Sequence, residues 1–230
     1  MTTILAIDTS AIASAAILRA GAEGTEVLAR FATEDTRSHA EVTAPAVARL
    51  LEETGLSGKD LDAVVAGVGP GPFTGLRAGL TVARTLGFAW CLPVHGVMSL
   101  DAIAADAVAA GAPERFLVAT DARRKEVYWA LYANDAGTPR LLDGPHVQRP
   151  ADVVVDELLG AGGAVYGAGA GLYPEELSPV EAFARTQPDA VALGTLALER
   201  LARGEELLET EPLYLRESDA QVPGPRKKAL

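Results

Sequence analysis

Two stretches more than a hundred residues apart are written alike: TILAID, residues 3–8, and RFLVATD, residues 115–121. Each is a short apolar run that closes on an aspartate, and each leads into further alternating runs and then helices. After the first come ASAAILRAG and TEVLARFAT with Gly21 and Gly24 between them, lengths and turn residues that predict a three-stranded antiparallel meander. After the second come the basic turn Arg123-Arg124-Lys125, the alternating EVYWALYAND, and LLDGPHVQR as a further strand. A pattern used twice predicts two α/β lobes of related topology, residues 1–110 and 111–230, with the boundary near Gly111 or Pro113. No low-complexity linker separates them, so the lobes should touch.

The helices follow from capping signals and 3.6-residue periodicity. Ser38-His39-Ala40-Glu41 fits a capping box, and the helix it starts should stop near Gly55. LDAVVAGVG reads as a buried strand, FTGLRAGLTVARTLGFAW as a helix, LPVHGV as a strand and SLDAIAADAVAAG as another helix. In the second half PADVVVDELLG reads as a helix with proline at its first position, GAVYGAG as a buried strand and DAVALGTLALERLARG as the last helix. That last helix could pack back on the first lobe.

Composition limits the function classes. No apolar run reaches the length of about 18 residues that suggests a membrane span. A single cysteine, Cys91, makes an internal disulfide framework impossible, and Met1-Thr2-Thr3 lacks the basic start of a secretion signal, which predicts a cytoplasmic protein. The formal charge of −11 disfavours a nucleic-acid backbone except where cations cluster. They do so at Arg123-Arg124-Lys125 and at Arg226-Lys227-Lys228, the latter in a Pro/Gly-containing tail that reads as a solubilising end.

The stretch AGVGPGPFTGLRAGLTVART superficially has the form of a phosphate-binding loop. Its glycines overshoot the dinucleotide spacing by one residue, Gly75-Leu76-Arg77 replaces the G-K-[ST] ending, and Pro70 and Pro72 have no N–H to donate. It reads better as a stiff turn feeding a helix. On that helix Gly75, Gly79, Ala83 and Gly87 recur every four residues, beside a strip of Leu76, Leu80 and Arg84. Each helical glycine costs about 1 kcal/mol relative to alanine, so the small stripe implies a close neighbour. That neighbour is either the chain's own lobe or a partner.

Asp8-Thr9-Ser10, a carboxylate and two hydroxyls at a strand end, has the chemistry to hold Mg²⁺ or a phosphate, or to cap a turn. Asp121 lacks the following hydroxyls, which argues against a two-lobed ATP clamp. His39, His95 and His146 are not spaced to share a metal on one helix face, and Cys91 reads as core at a helix-to-strand junction. No complete catalytic constellation emerges.

AIDTS, SHAEVTAPAVARLL, AGVGPGPFTGLRAGLTVARTLGFA and DARRKEVYWALY together closely resemble the bacterial TsaB family, non-catalytic subunits of the machinery that makes threonylcarbamoyladenosine in tRNA. The resemblance runs almost end to end and is strongest over residues 1–135. It implies an actin-like ATPase fold (sugar kinase/Hsp70, RNase H-like class). In the catalytic paralogue, TsaD, a G-V-N-H-L-E-G-H segment carries a metal-binding histidine pair; laid on Gly96–Ile103, it puts Ser99 and Ile103 at the two histidines. The metal-assisted chemistry then has no ligands here.

The resemblance further implies a scaffold that pairs with TsaD, recruits the ATPase TsaE, meets tRNA only through the complex, and self-associates through a similar surface. It implies partner contacts on helices 39–54 and 74–90: His39, Val42, Ala46 and Leu50 on the first helix, with Phe73, Leu76, Gly79, Leu80, Ala83 and Arg84 at and along the second. It implies no cofactor of the chain's own, leaving ATP and Mg²⁺ only Asp8, Thr9 and Ser10, or a subunit junction. Two other readings compete: an ATP-hydrolysing or phosphotransferring enzyme of this fold that uses Asp8, and a metallopeptidase.

Overall fold

The computed structural model describes residues 1–22, 24–34, 39–160 and 162–216. The capping Ser38 and the tail cluster Arg226-Lys227-Lys228 lie outside the described residues.

The first half forms β1 (Thr3–Asp8), β2 (Ser14–Gly21), β3 (Gly24–Ala32), α1 (His39–Thr54), β4 (Ala63–Gly67), α2 (Phe73–Trp90), β5 (Val94–Val97) and α3 (Ser99–Ala109). Its sheet has the order β3-β2-β1-β4-β5, antiparallel through the meander and parallel from β1 to β5. Strand alternation sorts β1 onto two cores. Leu5 and Ile7 face Val47 and Leu50 of α1 and Leu80 and Ala83 of α2. Ile4 and Ala6 face the opposite way.

The second half forms β6 (Arg115–Asp121), β7 (Val127–Asp135), β8 (Thr138–Gln148), α4 (Val155–Leu159), β9 (Val165–Tyr166), α5 (Ala168–Leu172), α6 (Pro174–Leu177) and α7 (Ala190–Ala202). Its sheet runs β8-β7-β6-β9. The single helix expected over 150–160 is two pieces, a 3-10 turn at Pro150–Asp152 and the five-residue α4. Val153, in extended backbone between them, is buried in the second sheet's core, and that burial breaks the helix.

The two sheets separate at residue 110, but their cores do not. Ala190, Leu193, Leu196 and Ala197 of α7 cover Ile4, Ala6, Ala16 and Leu18 of the first sheet. Asp189 caps α7 by accepting from Val191 N at 2.7 Å. Helix α3 lies between the lobes: Ala102 joins the first core, while Leu100, Ile103, Ala104 and Ala107 pack on Phe116, Val118 and Tyr132. A buried network fixes it there, with Tyr132 Oη donating to Asp101 Oδ1 and Arg200 to Asp101 Oδ2, both at 2.8 Å.

After α7 the chain returns as a strap across the first lobe. Gly96 N donates to Leu208 O at 2.6 Å, Leu213 N donates to Val68 O at 2.8 Å, and Arg84 grips Thr210 through its hydroxyl and its carbonyl.

Candidate functional site

The end of β1 is densely hydrogen-bonded, and it is closed. Asp8 is fully buried, Thr9 is 1% exposed and Ser10 is 4% exposed. Asp8 Oδ1 accepts from Ser10 N at 2.8 Å and from Ser10 Oγ at 2.7 Å; Oδ2 accepts from Ser99 Oγ at 2.6 Å. Burial pushes the Asp8 carboxyl up from the ordinary 3.8, against the hydrogen bonds from Ser99 and Ser10 that pull it down, while Asp189 adds a smaller upward push. Gly67 makes room for the carboxylate, since a Cβ there would sit 1.8 Å from Asp8 Oδ2.

Asp8, Thr9 and Ser10, which by sequence had the chemistry to hold Mg²⁺ or a phosphate or to cap a turn, are all buried. Their polar atoms serve the chain's own backbone and Ser99, and no face of the trio opens to solvent. Ser99 Oγ also accepts from Gly69 N at 3.1 Å, so the glycine-proline loop directs that N–H into the protein rather than toward a ligand. The other residue set against the paralogue's histidines, Ile103, is a fully buried part of the second core.

The small-residue stripe of α2 also points inward. Thr9 sits in its notch: Thr9 Oγ1 donates to Gly75 O at 2.7 Å and accepts from Gly79 N at 3.2 Å, and a Cβ on Gly79 would fall 2.2 Å from that oxygen. Gly87 gives the same clearance to Val94. Seven residues expected to face a partner are buried in their own lobe: His39, Ala46, Leu50, Leu76, Gly79, Leu80 and Ala83. His39 is held by its Nε2–H, which donates to Ala11 O at 2.9 Å. Val42 is half-buried, and Phe73 and Arg84 are exposed. Helical spacing showed a stripe of close approach; it did not show which side of the helix carried the neighbour. Cys91, read as core, is exposed, because it caps α2 in the left-handed conformation with φ 58°.

Asp121, the counterpart of Asp8 on β6, stands at a more open place. Its carboxylate accepts from Arg123 N at 2.7 Å and pairs with the Arg123 guanidinium at 2.9 Å. Arg123, Arg124 and Lys125 all take positive φ, and Glu126 pairs with Arg216 from the strap. Sequence reasoning missed the strap residues Thr210, Tyr214 and Arg216. No local pattern marks them, because their partners lie about a hundred residues or more away.

Among the described residues no group of three or more His, Cys, Asp or Glu side chains is placed to hold a metal ion, and no helix is long and apolar enough to cross a membrane. A meander extended by parallel strands, beside a second sheet that begins with the same antiparallel meander, defines the class: a mixed α/β protein of two sheets. YeaZ from Pseudomonas aeruginosa superposes with a TM-score of 0.79 at 35% identity, over 94% of this chain and 100% of that one. The family model for TsaD, tRNA N6-adenosine threonylcarbamoyltransferase, matches residues 26–167. An uncharacterised protein of Mycobacterium tuberculosis is 46% identical over 165 residues, 71% of this chain and 73% of that protein. The tRNA threonylcarbamoyladenosine biosynthesis protein TsaB of Bacillus subtilis is 39% identical over 133 residues, 56% of this chain and 55% of its own length. The chain belongs to the TsaD-type domain family and, within it, to the TsaB family.

Proposed function

We propose that the chain is a non-catalytic, cytoplasmic subunit in threonylcarbamoyladenosine biosynthesis, pairing with and stabilising TsaD, with TsaE, while threonylcarbamoyl passes from its adenylate to the adenosine beside the anticodon. Ser99 and Ile103 carry this reading. By the resemblance they stand where the paralogue holds its metal ligands, and one bonds a buried carboxylate while the other fills the core. Side chains engaged in that way offer nothing to a metal or to a reacting carbonyl. The enzymatic alternative would need Asp8 accessible, and its burial disfavours that.

In this reading the partner surface is the outer side of α1 and α2. Helices α1 and α2 cover one face of the first sheet, so their opposite sides face solvent. There Ala44, Ala48, Thr81 and Thr85 are small and exposed, and Phe88 is 88% exposed. Short side chains around one projecting ring suit close helix-to-helix docking. We assign TsaD pairing, and self-association in its absence, to this face.

The decisive experiment is reconstitution. TsaD and TsaE with this chain should modify tRNA; the same mixture without it should be inactive, and the chain alone should be inactive. Equal modification with and without it would end the reading. Phe88→Asp should abolish pairing with an unchanged melting temperature, whereas Gly79→Leu should destabilise the monomer itself.

A further inference from the structure

Beside the closed site lies an open strip of the opposite charge character. Two adjoining cavities of about 440 and about 410 Å³ share Tyr214 and run from the junction of the lobes along α2. Arg123, Arg124 and Arg216 line the first, and Arg77 and Arg84 line the second. Among the described residues no aspartate or glutamate lines either one. Other cavities of this acidic chain differ: the one between α3 and α7 is lined by Asp106, Asp189 and Glu199 with a single arginine, Arg30, and one in the second lobe by Asp156, Glu157, Glu175 and Glu176.

The arginines are held in place. Asp121 and Glu126 stand behind the strip and pair with Arg123 and Arg216, while Arg84 is fixed on Thr210 and Arg77 donates to Tyr214 Oη at 3.2 Å. Aromatic rings lie among them. Phe73 and Tyr214 stack with centroids 5.0 Å apart, 50% and 39% exposed, and the Arg77 guanidinium lies 4.0 Å over the Phe73 ring. Tyr128 lines the same cavity.

Arg77, Arg84 and Arg124, with Arg123 and Arg216 paired to Asp121 and Glu126 behind them, suit a run of phosphates, and exposed rings interleaved with arginine suit unstacked bases. We propose that this strip is a contact surface for single-stranded RNA, with phosphates on the arginines and a base against the Phe73–Tyr214 pair. An acidic protein segment would satisfy the charge but has no planar faces for the rings. The choice of RNA also rests on the proposed role in tRNA modification. The acidic surface elsewhere repels a polyanion and so confines it to the strip.

The test is fluorescence anisotropy of a short fluorescein-labelled single-stranded RNA titrated with the full chain at low salt, roughly 50 mM. Saturable binding should weaken steeply with salt. The double variant Arg77→Ala/Arg124→Ala should bind about tenfold more weakly, with a salt slope shallower by about 0.7 for each phosphate no longer neutralised. Tyr214→Leu should weaken binding without changing that slope. Should the double variant melt early, Arg124→Gln alone, on an exposed turn, carries the test.

Absent binding, or binding that the variants leave unchanged, overturns the proposal. Displacement of the RNA by polyglutamate at equal charge concentration overturns it in favour of an acidic protein partner. The outcome is separable from the reconstitution. If RNA binds through the strip but modification does not need the chain, the subunit role fails and the strip stands. If modification needs the chain but strip variants leave RNA affinity and the KM for tRNA unchanged, the strip fails alone.

Discussion

The ends of β1 and β6 share a sequence signature and have opposite fates. Asp8 is sealed, bonded by Ser10 and Ser99 and accommodated by Gly67. Asp121 is partly open and steadies an arginine turn at the mouth of the lobe junction. The difference lies in what each strand end meets. Behind Asp8 stand a second parallel strand ending in glycine and the first turn of α3, which together exclude water. Behind Asp121 stands a basic hairpin turn that leaves a cavity. A strand-terminal aspartate is thus a position for a carboxylate, and its neighbours in space decide between structural clamp and surface anchor.

The largest test of that contrast is removal of each carboxylate in turn. Asp8→Ala leaves three buried donors without an acceptor and opens a void, and should cost about 3–5 kcal/mol of unfolding free energy in urea titration. A loss below about 1 kcal/mol would mean that the clamp is not what holds this end of the sheet. Ser99→Ala removes one donor to Asp8 and the acceptor for Gly69 N, with an expected loss of about 2 kcal/mol by the same measurement.

Titration sharpens the comparison further. Because burial raises the Asp8 pKa in the folded state, the folded chain holds this proton to higher pH than the unfolded chain does. Its contribution to stability is full below about 3.8 and declines as pH rises through the folded value. Asp8→Asn cannot titrate, so the stability of the native protein relative to this variant should fall as pH rises across that window. A difference that is flat with pH would refute the raised value. The smallest effect belongs to the more open end: Asp121→Ala should cost no more than about 1 kcal/mol, because its partner Arg123 is half exposed and solvent screens the pair.

Much of the architecture was legible in the sequence. The meander, both boundaries of α2, the short β5, α3 and the start of α7 followed from alternation, helical period, proline and capping residues, all of which act within a few positions. The family was legible from the GPG–helix and DAR–EVY blocks. The direction of the small-residue stripe was not. Gly75, Gly79, Ala83 and Gly87 announce that something comes close, and only the fold shows it to be Thr9 on one side and Val94 on the other. The break at Val153 was hidden too, since a core contact there outweighs local helical preference.

By itself, then, the sequence determined the meander, α2, β5, α3 and the start of α7, together with the family. Those properties depend on residue identity and on spacing along the chain. Tertiary structure alone decided that Asp8 is sealed, that most of the expected partner residues are core, and that Arg77, Arg84, Arg123, Arg124 and Arg216 share one surface. Burial and charge proximity are set by distances in space between residues far apart in sequence, and no local pattern encodes them.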